Sequence, residues 1–125
     1  MEFTDEQFDA YITRAMNELP QDYIRGLENV VIVMEDQPSE EQKQKMHLDN
    51  HHLLLGLYEG IPLTQRGSGW SGMLPDKITL FKFSILAVVR SEAELFEQIK
   101  RTLWHEIAHY YGVSHDRMDE LQKKP

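Results

Sequence analysis

The densest chemistry in the chain is the run His105-Glu106-Ile107-Ala108-His109-Tyr110-Tyr111-Gly112-Val113-Ser114-His115, which reads H-E-x-x-H-x-x-G-x-x-H. On a helix, residues four apart project about 40° from one another, so the imidazoles of His105 and His109 point the same way, one turn apart. At that spacing two neutral ring nitrogens can share one zinc ion at about 2.0–2.1 Å. Glu106 is offset by about 100° from His105. It can therefore miss the metal and still reach a water that the metal activates, the position of a general base.

A catalytic zinc needs a third protein ligand and one open position. His115 stands six residues past His109, and a straight helix would carry it roughly 240° around the axis, away from the metal. The chain has to turn first, and Gly112 is the residue type that accepts the left-handed backbone of such a turn. The short H-E-x-x-H pattern alone arises by chance often enough to mislead. The glycine and the third histidine at fixed offsets make a chance match far rarer.

These residues need an element to hold them, and the spacing predicts a long helix. Ser91 and Glu94 stand at capping-box spacing, apolar side chains run from Ala93 through Phe96, Leu103 and Ile107 to Tyr111, and Gly112 supplies the stop. A first helix is predicted from Thr4 and Gln7 as its capping box, through Phe8, Tyr11, Ile12, Ala15, Met16 and Leu19, to Pro20. Val30–Glu35 reads as a buried strand, Leu53–Glu59 as a second, and Lys77–Phe83, which alternates polar and apolar, as a third with one exposed face. Asp36–Asn50 reads as a polar loop with a helical turn at Glu40–Lys45, and Gln65–Pro75 as a glycine-rich loop without a phosphate-binding pattern. No repeat, linker or boundary interrupts these elements, and 125 residues suit one domain spanning 1–125.

The formal net charge is −8, and the acidic excess sits in the first half of the chain. Such a face solubilises; it does not grip phosphate, which takes clustered Lys and Arg. Nucleic acid is therefore not an expected partner. No apolar run approaches the roughly 18–20 residues of a membrane helix, and the acidic start shows no export signal, so a cytoplasmic protein without membrane contact is expected. With no cysteine, thiolate metal sites and cysteine nucleophiles are excluded.

The extended motif resembles that of the zincin metallopeptidases and of their metzincin branch. The order of Leu55–Thr64 (L-G-L-Y-E-G-I-P-L-T), Pro75–Phe81 (P-D-K-I-T-L-F) and His105–Gly112 is similar, more narrowly, to a small bacterial minimal-zincin family, over roughly residues 50–120. The resemblance implies an α+β domain, a short mixed sheet packed on the N-terminal helix and the long active-site helix. It implies zinc held by His105 and His109, Glu106 as catalytic base, and a peptide or protein substrate. Family members often carry an acidic residue near the third ligand, and Asp116 directly follows His115, so either can complete the zinc site. Metzincins place a methionine turn well beyond the motif, whereas Met118 lies only three residues past His115 and reads as a core filler.

Other readings stay open. A zinc endoribonuclease similar to the rRNA-maturation metallohydrolases would bind metal through three similarly spaced histidines, but those enzymes have glycine where Glu106 stands. A zinc-holding interaction module without turnover is the other alternative. His47, His51 and His52 read as solvated loop histidines, Tyr110 and Tyr111 as packing, and Trp70 as cover for the core.

Overall fold

The computed structural model describes residues 2–46, 54–62, 64, 75–113 and 117. Their order is α1 (Asp5–Glu18), α2 (Gln21–Arg25), β1 (Val30–Glu35), α3 (Glu40–Lys45), β2 (Gly56–Glu59), β3 (Asp76–Phe81), α4 (Lys82–Ala87) and α5 (Glu92–Tyr111).

Helix α1 starts on the expected capping box. The Gln7 N–H donates to Thr4 Oγ1 at 3.1 Å, and the Thr4 N–H donates to Gln7 Oε1 at 2.8 Å. Two otherwise orphaned donors are satisfied reciprocally. Phe8, Ile12 and Ala15 are its buried residues, one stripe at helical spacing, and the helix packs on α5. The short α3 occupies the anticipated turn and repeats the same device with Ser39 and Gln42. At the start of α5 only half of the expected box forms. Ser91 Oγ accepts the Glu94 N–H at 3.1 Å, but the Glu94 carboxylate accepts from Arg90 at 2.7 Å, one residue further out.

The sheet is mixed, in the order β1-β3-β2, with β1 parallel and β2 antiparallel to β3. The expectations for all three strands are corrected here. The third strand ends at Phe81 and is the central strand, buried at every position except the half-buried Lys77. The sequence also suggests that an exposed edge of Lys77–Phe83 could hold an extended peptide; this is overturned, because both edges of β3 are hydrogen-bonded within the sheet. The first strand, expected to be buried, is an edge strand with Val31 42% exposed. Its valines fill a half-buried pleated surface, which is what β-branched residues favour; they do not report burial on both faces. The second strand is shorter than expected: Leu54 and Leu55 are not part of it and the ladder begins at Gly56, while Leu53 lies outside the described residues.

Phe8, Ile12 and Leu19, Ile78 and Leu80 of β3, Ile85 of α4, and Leu95, Ile99, Leu103, Trp104 and Ile107 of α5 form one apolar core. Helix α5 touches α1, β2, β3 and α4, so the element carrying the motif is also the spine of the core. This is the small α+β arrangement expected, with the sheet on the long helix. Among the described residues no helix is long and apolar enough to cross a membrane.

Among the described residues, one buried side-chain group is left unsatisfied. Thr79, in the middle of β3, is fully buried, and its hydroxyl has no hydrogen-bond partner. An unpaired buried hydroxyl costs about 1–3 kcal/mol. Thr79→Val, which keeps the shape and removes the hydroxyl, is expected to raise unfolding stability by about 1 kcal/mol in denaturant titration. A loss of that size instead would show that the hydroxyl is satisfied in solution.

Candidate active site

Helix α5 runs unbroken through Tyr111, so His105 and His109 stand one turn apart, as their spacing requires. His105 is half-buried and His109 is partly open, its side chain 45% exposed, whereas Glu106 is buried at 7%. The Glu106 carboxylate turns towards the second histidine, with Oε1 3.1 Å from His109 Nδ1. That hydrogen bond holds the His109 pKa above the ordinary imidazole value of 6.5; burial opposes the rise and the carboxylate charge adds to it.

Strand β2 packs on α5 beside the buried Glu106. A Cβ built on Gly56 would stand 2.7 Å from Thr102 Cγ2, 3.2 Å from the Thr79 carbonyl oxygen and 3.3 Å from Glu106 Cγ. The strand backbone therefore rests on the stem of the Glu106 side chain. Thr102 is itself fixed, its Oγ1 accepting from Gln98 Nε2 at 3.0 Å. Neither Gly56 nor Thr102 stands out from motif spacing. The available signal was a glycine inside an apolar strand, which marks a close approach of backbone to a neighbour.

At its far end α5 stops where the sequence places the stop. Gly112 has φ +74°, and its N–H bonds the Ala108 and His109 carbonyls at 2.9 and 3.1 Å. A side chain there would also run into Thr64. Gly112 is thus required both for the left-handed turn and for the contact.

The segment beyond it carries the third-ligand candidates. His115 and Asp116 lie outside the described residues, as do His47, His51, His52, Trp70 and Met118. Among the described residues no three His, Asp or Glu side chains gather into a metal-sized cluster. His105 and His109, one turn apart on α5, are ligands of the kind zinc takes, and the pair fits that metal.

The two tyrosines after His109 are structural, as expected. Tyr110 is fully buried and its hydroxyl accepts the Glu28 N–H at 3.1 Å. The Tyr111 hydroxyl donates to the Tyr23 carbonyl at 2.6 Å, and burial, with Tyr110, Tyr23 and Glu28 nearby, pushes its pKa up to about 12. The two rings meet edge-on with centroids 5.0 Å apart, and their hydroxyls tie the end of α5 to α2 at Tyr23 and to Glu28 just after it.

The profile of the zincin-like metallopeptidase family matches residues 27–124. The chain belongs to that family. The family expected from the histidine–glutamate motif is the family found, and it points to a metallopeptidase. No curated protein matches the chain. Among solved structures, a conserved hypothetical protein from T. thermophilus is similar, with a TM-score of 0.59 and 26% sequence identity. The similarity covers 87% of this chain and 94% of that one, and it supports the small zincin-like α+β fold as a whole.

Proposed function

We propose that the protein is a zinc-dependent peptidase in which His105, His109 and His115 hold the metal and Glu106 is the general base. The observation that carries this reading is the pairing of a buried Glu106 with His109 at 3.1 Å on an unbroken helix. Membership of a metallopeptidase family supports it. Zinc, when bound, polarises a carbonyl and acidifies water towards neutral pH.

The chain's own residues supply the rest. The Glu106 carboxylate accepts a proton from the attacking water and passes it to the leaving amine, so one group serves first as base and then as acid. Burial beside β2 keeps that carboxylate on one side of α5, close to the helix turn that carries the histidines. An extended substrate needs an unpaired strand edge. Since β3 is central, β2 takes that role in this reading, being the edge strand that touches the active-site helix. The acidic charge of −8 and the family both favour peptide over RNA.

The test is a zinc-loaded preparation incubated with a mixed peptide library and, separately, with structured RNA. About one zinc per chain, cleaved peptide and intact RNA are expected. Zinc with no cleavage under any condition would identify a binding module, and cleaved RNA with intact peptide a nuclease.

A further inference from the structure

We infer that Gly56 is a positioning residue for Glu106, with Thr102 as the other half of the device. This rests on the reading of Glu106 as the general base. The base lies on a helix, but helix geometry fixes only its backbone. A glutamate has three side-chain torsions, and a base is useful only while its carboxylate stays within about an ångström of its working place.

Two surfaces confine the Glu106 side chain. At its tip the carboxylate meets His109 Nδ1. Along its stem, Cγ lies beside the backbone of Gly56, so close that a single added carbon would come within 3.3 Å of it. The same carbon would meet the Thr102 methyl at 2.7 Å, a separation that real Cβ contacts do not reach. Thr102 cannot yield easily, because it is buried and its hydroxyl is held by Gln98. Glycine at position 56 is what lets the sheet close onto the helix over the base. Its pairing places it opposite Leu80 at the start of β2, so the strand is fixed by the sheet on one side and by α5 on the other. A side chain at position 56 would lift this end of β2 off Thr102 and remove the wall along Glu106.

Gly56→Ala is therefore expected to keep its zinc, about one per chain, and to lose about 10–100-fold in kcat with KM changed less than about threefold. A crystal structure of the metal-free variant supplies a readout independent of turnover. It is expected to show the Glu106 carboxylate out of hydrogen-bond reach of His109 Nδ1. Adding Thr102→Ser deletes the methyl that the new carbon meets first and keeps the hydroxyl for Gln98. This double variant is expected to return Glu106 to His109 and kcat to within about threefold of wild type. Should Gly56→Ala alone fail to fold, the double variant carries the test. A folded double variant with Glu106 still displaced would overturn the part given to Thr102, since the added carbon also stands 3.3 Å from Glu106 Cγ. Gly56→Ala with Glu106 in place and an unchanged kcat would overturn the inference itself. If Glu106→Gln leaves the rate untouched, the base assignment itself fails, whereas the displacement of Glu106 in Gly56→Ala is read from the structure and stands or falls separately.

Discussion

Alanine at His105 or at His109 is expected to abolish stoichiometric zinc binding and to leave the fold standing. Changing a residue that merely orients a metal ligand typically costs about 10–100-fold in metal affinity, and deleting a ligand costs more. The core does not depend on these rings: His109 is partly open and His105 half-buried, whereas the packing of α5 rests on Leu103, Trp104 and Ile107. The metal-free variants should thus unfold close to the temperature of the metal-free wild type. Elemental analysis after dialysis checks the metal, and full zinc occupancy in both variants would sink the assignment.

Acidity should act on the same equilibrium. Only neutral imidazole binds a metal ion, and the Glu106 hydrogen bond raises the pKa of His109 above 6.5. Protons therefore compete from a higher pH than they would at an ordinary histidine, and zinc affinity is expected to fall as pH drops through that raised value. Fold stability without metal runs the other way. A histidine whose folded pKa is raised contributes stability that is complete below its unfolded pKa and disappears as pH rises through the folded one. Since His109 is nearly half exposed, that contribution is small.

The sequence exposes the long helix because three independent signals agree on it: Ser91 at its start, apolar spacing from Phe96 to Ile107, and Gly112 at its end. The same consistency reveals α1. The sheet is less legible. Lys77 and Thr79 make β3 look half-exposed, yet Thr79 is fully buried between neighbours on both sides, with its hydroxyl unpaired. Alternation reports polarity, and a central strand can bury a polar residue that the pattern assigns to solvent. Helices α2 and α4, of five and six residues, are too short to show a period at all. At the site, His105, Glu106 and His109 could be read from spacing because all three belong to one helix. Gly56 could not, since its part is to be small where two distant segments meet, and only the folded chain brings Thr102 and Glu106 to it.

Glu106→Gln separates the base from the ligands and tests the proposed chemistry most directly. Glutamine matches the size of glutamate and can still accept a hydrogen bond from His109, but it cannot take up a proton at neutral pH. Zinc content and fold should be nearly intact. Loss of general-base assistance typically costs about 10²–10⁴-fold, and the loss should fall on kcat more than on KM, because proton transfer belongs to the transition state. The measurement is zinc stoichiometry and turnover of Glu106→Gln beside wild type, on whichever peptide the library yields. One zinc per chain with turnover reduced at least about a hundredfold is the expected result; one zinc per chain with turnover within about tenfold of wild type would contradict it.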